Sequence, residues 1–309
     1  MRKYPWKMNE DEAYAEAQRL IEECRKNKGE KLYLAGLNLK TIPPEIVRLE
    51  ALKELNLPIN ISRWIGKITT LEKLSAGSEF QGLYEHENTI LPPELGNLRN
   101  LRELRLGYYI SEIPEWVWGL ENLEVLSICN DNIVSIPATI SNLKKLHTLR
   151  IKGESITVLP CEIGELFSLA SLKLSCPQLK TLPGSLGDLN KLSSFCLNPS
   201  DIIQIPDSLS SCPLEELKLY GNFQTMPETL GNLSKLKTLT LWSTSLKALP
   251  DSFGNLSSLE ELDIYTGKDL ILPKTFDGLS SLKSIYINGR NTQELRERMV
   301  DETYSRLCG

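Results

Sequence analysis

Residues that could do acid–base or metal chemistry are scarce in this sequence. It contains two histidines, His86 and His147, so a Ser-His-Asp or Cys-His arrangement has little to draw on. His147 follows the apolar position Leu146 and is interpreted as a solvated side chain. His86 stands in Glu85-His86-Glu87, a set too small to indicate a metal site. We therefore predict no catalytic centre, no bound metal and no cofactor.

Charge and cysteine content favour a cytoplasmic chain. The sequence has 35 basic and 40 acidic residues, a net charge of −5, which creates no field for gathering nucleic acid. It lacks a GxxxxGK(S/T) phosphate loop. Its seven cysteines include no CxxC pair, which argues against a disulfide framework and a zinc site. Without a secretory signal or a run of ~20 apolar residues, we expect no membrane partner.

Prolines form the clearest pattern in the chain. Ten of the 17 prolines lie on one ladder, which steps by 23 residues from Pro114 to Pro206, then by 21, then twice by 23 to Pro273. Leucine-like residues follow at 6, 9, 12 and 14 positions after the proline, as in 249–264, LPDSFGNLSSLEELDI. The last pair has the period of a β-strand, and the earlier spacing suits a 3₁₀-like or extended segment. Each repeat therefore predicts one coil of strand, turn, convex segment and turn.

The pattern resembles the leucine-rich-repeat family, whose strand signature is LxxLxLxxN/CxL, over roughly residues 30–289. The LP…GNL half is similar to the 23-residue intracellular type of bacterial cytoplasmic, Ras-suppressor-like and plant-receptor repeats. The resemblance implies an α/β solenoid, a curved horseshoe with a concave parallel sheet of about twelve short strands. The strand cores are placed at Leu32/Leu34, Leu55/Leu57, Leu74/Ala76, Leu104/Leu106, Leu126/Ile128, Leu149/Ile151, Leu172/Leu174, Phe195/Leu197, Leu217/Leu219, Leu239/Leu241, Leu262/Ile264 and Ile285/Ile287.

Both ends of the array are expected to carry helical caps, because terminal coils would otherwise expose their leucines. Asn9 with Glu12 forms a capping-box signal ahead of an apolar stripe. Asn291 with Glu294 opens a second amphipathic pattern. We therefore predict an N-terminal helical cap over 1–29, a repeat array over 30–289 and a C-terminal capping helix over 290–309.

Several coils depart from the repeat. The second coil has Ile61-Ser62 in place of its Leu-Pro pair, and the third carries about seven extra residues within Ser78 to Ile90. The family's asparagine ladder, which satisfies buried backbone groups between coils, is nearly absent, since only Asn222 stands at its position. We expect an irregular third coil, and another source of backbone hydrogen bonding at the turn after each strand.

Two clusters are predicted on the concave face, where alternation places the residues between and directly after each leucine pair. The first is an aromatic column with its neighbours: Tyr220, Trp242, Tyr265, Lys218, Asp263 and Tyr286. The second is a basic group with a tyrosine beside it: Arg105, Arg150, Lys152, Lys173 and Tyr108. Tyr, Trp and Arg are enriched at binding hot spots. The alternative for the aromatic column is a cross-strand ladder that only stabilises the sheet.

These observations favour a non-catalytic interaction module that binds a protein or peptide on its concave face and is monomeric when unbound. One alternative is the substrate-recognition arm of a larger enzyme or effector assembly, of the ubiquitin-ligase type. Another is an immune-recognition repeat protein, because 249–264 is similar to plant receptor repeats. The partner's identity and the role of the Ser78–Ile90 insertion do not follow from the sequence.

Overall fold

The computed structural model describes residues 8–291 except 38, 59–60, 78–89, 109, 111, 199–200, 268–269 and 289. Most of the Ser78–Ile90 insertion, His86 and residues 292–309 of the expected C-terminal helix therefore lie outside the described residues. The chain divides into two compact units. The first contains residues up to 156 together with 165–169, and the second contains 157–164 together with residues from 170 onward.

The expected N-terminal helix is present as α1, Glu10–Lys26. The Asn9 Oδ1 accepts a hydrogen bond from the Glu12 N–H at 2.9 Å, and the Asn9 N–H donates to the Glu12 carboxylate at 3.0 Å. These reciprocal bonds satisfy two backbone donors and form the predicted capping box. The helix buries one apolar face, consisting of Ala13, Ala17, Ile21 and Cys24, and packs against the first strand.

Twelve strands stand at the twelve predicted positions. In the first unit they are β1 Lys31–Tyr33, β2 Glu54–Leu57, β3 Lys73–Ala76, β4 Glu103–Leu106, β5 Val125–Cys129 and β6 Thr148–Lys152. In the second unit they are β7 Ser171–Ser175, β8 Ser194–Asn198, β9 Glu216–Tyr220, β10 Thr238–Ser243, β11 Glu261–Thr266 and β12 Ser284–Ile287. Within each unit, neighbouring strands pair in parallel and in chain order.

The strand register places the leucines of successive coils opposite one another. Leu217, Leu239 and Leu262 are direct partners across β9, β10 and β11, and all three are buried. Stacking equivalent leucines in this way gives each unit one continuous apolar layer behind its sheet. After β12 the chain forms a short antiparallel strand, β13 Arg290–Asn291. The first two residues assigned to the C-terminal helix are therefore in a strand.

A 3₁₀ segment of five residues lies between each pair of parallel strands. Ten of these eleven segments begin directly after a proline of the ladder, whose restricted φ suits a helix start. The exception is Arg63–Lys67, where the Ser62 hydroxyl accepts a hydrogen bond from the Trp64 N–H at 3.4 Å. The segments are Pro44–Arg48, Arg63–Lys67, Pro93–Asn97, Glu115–Gly119, Ala138–Asn142, Cys161–Glu165, Gly184–Asp188, Asp207–Ser211, Glu228–Asn232, Asp251–Asn255 and Lys274–Gly278.

In two coils the turn after the strand takes hydrogen bonds from a side chain one residue before the family's asparagine position. The buried Asn130 side chain donates to the Ile110 carbonyl and accepts from the Asn132 N–H. The buried Ser243 hydroxyl donates to the Phe223 carbonyl at 2.7 Å. These side chains supply protein partners for the turn in those two coils, and the bonds to the Ile110 and Phe223 carbonyls each join one coil to the preceding coil.

Candidate functional site

We use the term open face for the sheet face opposite the leucines. In the second unit its central row and outer row each cross successive strands in register. The first cluster predicted from sequence comes together here. The central row is Lys173, Cys196, Lys218, Thr240, Asp263 and Tyr286, and the outer row is Ser175, Asn198, Tyr220, Trp242 and Tyr265.

The aromatic column, Tyr220–Trp242–Tyr265, dominates the outer row. Trp242 stacks on Tyr265 with ring centroids 4.6 Å apart and an interplanar angle of 19°. On its other side Tyr220 is tilted by 34° with centroids 6.0 Å apart. Trp242 nevertheless keeps 48% of its surface exposed. Trp242 is thus stacked closely on Tyr265, whereas its ring is farther from Tyr220 and tilted relative to it.

Asp263 is a carboxylate without a partner in the central row. Its Oδ1 is buried and accepts no hydrogen bond from any residue that the structure describes. Burial raises the pKa of this carboxyl group. Burial also raises the pKa of Tyr220, with smaller contributions that include the Asp263 charge. The open face thus carries an uncompensated negative charge next to the aromatic column.

Lys218, by contrast, is compensated. Its ammonium lies 2.6 Å from the Glu216 carboxylate, and the same carboxylate accepts a hydrogen bond from the Ser194 hydroxyl at 2.7 Å. The hydrogen bond with Glu216 raises the pKa of Lys218, and the same bond lowers the pKa of Glu216. Thr240, between Lys218 and Asp263 in the row, is buried, so it adds little exposed surface.

A pocket of about 540 Å³ opens beside the aromatic column. Tyr220 and Trp242 supply its aromatic wall, and Asp201 is its charged residue. Tyr265, the third residue of the aromatic column, is not among the residues that line the pocket. The lining consists of Pro177, Asp201, Tyr220, Gly221, Asn222, Trp242 and Thr244. The volume lies within the range of small-ligand and side-chain pockets, roughly 300–1,000 Å³.

The predicted basic group is divided between the units. Arg105 and Arg150 lie in the central row of the first unit, two strands apart, with Ser127 between them in register. Arg105 forms an ion pair with Glu103 at 2.6 Å. Lys173 belongs to the second unit. The paired guanidinium of Arg105 makes this group a weaker source of free positive charge than the sequence predicts.

Tyr108 does lie beside a residue of the basic group, Lys152, but the expectation that it is an exposed aromatic of the open face was wrong. It is 3% exposed. The reason is the period of two, since Tyr108 stands two residues after Leu106 and shares its inward direction. The Lys152 ammonium lies 5.0 Å from the centroid of its ring, and a hydrogen bond with Tyr108 raises the pKa of Lys152. Lys152 therefore covers the tyrosine.

Comparison with solved structures decides the fold. The plant peptide hormone receptor RGFR1, in complex with RGF2, is similar at 23% identity and a TM-score of 0.60, over 84% of this chain and 47% of that chain. The leucine-rich repeat domain of the type III effector XopL is 22% identical with a TM-score of 0.56, over 82% of both chains. The Drosophila Toll–Spatzle complex matches at 16% identity and a TM-score of 0.65, over 82% of this chain and 39% of that chain.

This chain is a leucine-rich-repeat solenoid. Neither a family model nor a curated protein sequence matches it. The solenoid spans about half the length of the RGFR1 chain that it resembles. At these identities the likeness establishes the fold and leaves the function to be argued from the site.

The pocket is the part of the site that sequence reasoning missed. We assigned Asn222 to the structural ladder of the leucine-rich repeat, yet it is exposed and lines the pocket. Asp201 stands four residues after Leu197 and Thr244 three residues after Leu241, so the two occupy different columns of the repeat alignment. The signal available in the sequence was the lone asparagine at a position where the other coils have none.

Metal chemistry has no visible centre in the described part of the solenoid. No group of three or more His, Cys, Asp or Glu side chains is arranged there to hold an ion. His147 is exposed on the first unit. Among the described helices, none has the length and apolar character needed to cross a membrane.

Proposed function

We propose that this leucine-rich-repeat chain is a non-catalytic binding module that takes a protein or peptide partner on the open face of its second unit. We take this face to be the concave side that the resemblance to leucine-rich repeats implies. The observation that carries the proposal is Trp242, a tryptophan that is 48% exposed in the middle of an ordered aromatic column. Buried Trp and Tyr anchors provide most of the binding energy at protein interfaces.

A purely structural aromatic ladder would account for only part of this arrangement. Stacking of Trp242 on Tyr265 contributes about 0.5–1.5 kcal/mol beyond area burial. On the same open face, Trp242 and Tyr286 remain exposed, at 48% and 41%. The buried carboxylate oxygen of Asp263 has no hydrogen-bond partner among the described residues. These features cost stability or leave apolar surface in water, and a partner would relieve both. We assign the stacking to positioning the column and the exposed edges to binding.

The neighbouring structures support a protein or peptide partner. RGFR1 was solved in complex with RGF2, and Toll in complex with Spatzle. Both share the solenoid architecture with this chain at low identity. The resemblance does not choose a face, and the choice of the second unit rests on the geometry of Trp242 and its neighbours.

We also propose that the chain works in a reducing, cytoplasmic compartment and belongs to the 23-residue intracellular type of repeat. Cys24, Cys129, Cys176 and Cys212 are buried, and none of them forms a disulfide bond with another described residue. Burial raises the pKa of Cys212 to about 11, which keeps it protonated and unreactive near neutral pH. Alkylation of the denatured protein directly after cell lysis should label all seven cysteines. A pair of cysteines that resists alkylation would contradict the assignment to a reducing compartment.

Selection from a random-peptide display library tests the binding site even while the natural partner is unidentified. Peptides enriched on the wild-type chain are synthesised and titrated against wild type, Trp242→Ala and Tyr33→Ala. Tyr33 is the matched control, since it is an open-face aromatic of the first unit and is 56% exposed. We expect Trp242→Ala to weaken binding about thirtyfold, or ~2 kcal/mol, while the lost stacking on Tyr265 lowers the melting temperature by no more than a few degrees. Tyr33→Ala should bind normally.

Two results would contradict the proposal. Selected peptides that bind wild type and Trp242→Ala equally would make the aromatic column a structural ladder. Loss of binding in Tyr33→Ala with retention in Trp242→Ala would move the site to the first unit. Circular dichroism of each variant separates loss of binding from loss of folding.

A further inference from the structure

We propose that the pocket beside the aromatic column receives an arginine side chain of the partner, so that the module recognises a basic segment. The inference rests on the proposed function and specifies its partner chemistry. It is carried by three features of the pocket: an aromatic wall, one uncompensated carboxylate and, among the lining residues that the structure describes, the lack of a basic one.

The aromatic wall is open on the side where the pocket lies. One face of the Trp242 indole is covered by Tyr265 at 4.6 Å. Towards Tyr220 the rings are 6.0 Å apart and splayed by 34°, and these two rings, without Tyr265, line the pocket. A planar guanidinium stacks on such rings and is attracted by their negative faces. Gly221, between Tyr220 and Asn222, adds no side chain to the lining.

The charge of the pocket is negative. Asp201 is the charged residue among the described residues of the lining, and none of the described residues pairs with its exposed side chain. Asp263 lies outside the lining and two strands from Tyr220, and its charge makes a smaller contribution to the raised pKa of Tyr220 than burial does. Lys218, the basic residue on β9, is neutralised by Glu216 at 2.6 Å. A cation entering the pocket therefore finds unpaired negative charge.

Arginine fits these features better than lysine or a neutral side chain. Its guanidinium stacks on an aromatic face and at the same time donates two parallel hydrogen bonds to one carboxylate. The Asn222 and Thr244 side chains provide further oxygen acceptors in the lining. A lysine ammonium is a more strongly hydrated point charge and lacks the planar stacking surface. The net charge of −5 of the whole chain also favours a basic partner.

The test uses N-acetyl-arginine-N-methylamide as the probe and the citrulline analogue as its neutral control of nearly the same shape. Binding is followed by the NMR signal of the Trp242 indole N–H, assigned as the signal that Trp242→Phe removes. We expect the arginine probe to shift this signal and the citrulline probe to bind about tenfold more weakly. Asp201→Asn should weaken the arginine probe about tenfold and leave the citrulline probe unchanged.

Asp188→Asn is the matched control, because Asp188 is an exposed aspartate of the second unit outside the pocket lining. It makes the same change of net charge and should bind the arginine probe as wild type does. Equal binding of arginine and citrulline, equal effects of the two aspartate variants, or an unmoved Trp242 signal would each overturn the proposal. If the probe fails while display-selected peptides still require Trp242, only the arginine assignment falls. If those peptides ignore Trp242, the proposed function falls too.

Discussion

Gly254→Ala tests how closely successive coils pack. Gly254 lies in the 3₁₀ segment Asp251–Asn255, and a Cβ there would overlap the carbonyl oxygen of Thr275 and lie 2.7 Å from its carbonyl carbon. Thr275 cannot withdraw freely, since its hydroxyl donates to the Asp251 carbonyl at 2.5 Å. The added methyl group must therefore push two coils apart. Overpacking of this kind costs about 1–3 kcal/mol.

Gly184→Ala supplies the control. Gly184 is also in a 3₁₀ segment of the second unit, and a Cβ there meets no heavy atom within 4 Å. Both substitutions lower the entropy of the unfolded chain, which stabilises the folded protein by the same ~0.4–1 kcal/mol. The difference in unfolding free energy between the two variants therefore measures the steric overlap at Gly254. Over the roughly 150 residues of the second unit, 1–3 kcal/mol corresponds to about 3–10 °C in melting temperature.

Thermal and urea unfolding of the two variants, followed by circular dichroism, measure this difference. We expect Gly184→Ala to match or exceed wild type and Gly254→Ala to melt several degrees lower. If the two variants unfold within ~0.5 kcal/mol of each other, the coils are not packed as closely as the structure indicates.

Three further substitutions test the core, the turn and the open face by urea unfolding. Leu239→Ala removes a fully buried leucine and should cost ~2–5 kcal/mol; a change below ~0.5 kcal/mol would refute the register. Ser243→Ala leaves the buried Phe223 carbonyl without its donor and should cost ~1–3 kcal/mol, whereas the exposed Ser257→Ala should be neutral. Burial raises the pKa of Asp263, so the folded state binds a proton there more tightly than the unfolded chain, and the ionised carboxylate lowers stability near neutral pH. Asp263→Asn should therefore be more stable than wild type at pH 7, with the advantage vanishing below about pH 4; an advantage independent of pH would contradict this cause.

The repeating features of the fold could be predicted from sequence because each is set by a local periodicity. The leucine pairs, with a period of two, place the strands, and the proline ladder places the 3₁₀ segments after it. The capping box of Asn9 and Glu12 likewise depends on a spacing of three residues. The alternation rule also placed Tyr220, Trp242 and Tyr265 on one face, and the register of β9, β10 and β11 brings them together.

The errors all concern residues in the turns that follow the strands. Tyr108 was grouped with exposed residues although its distance of two residues from Leu106 gives it the inward direction. Asn222 stands at the asparagine position of the family's repeat. The buried hydrogen bonds of the turn are made instead by Asn130 and Ser243, each one residue before that position in its own coil. The pocket combines Asp201 and Thr244 from turns after different strands. Its assembly depends on tertiary packing that no single repeat encodes.

The central claim is that the partner binds at Trp242, and fluorine NMR tests it most directly. The chain contains five tryptophans, so labelling with 5-fluorotryptophan places one signal at each, assigned by single Trp→Phe substitutions. A display-selected peptide is then added to saturation. The account predicts that the Trp242 signal shifts and the other four stay in place. A shift at Trp64 or Trp116 with an unmoved Trp242 signal would contradict it.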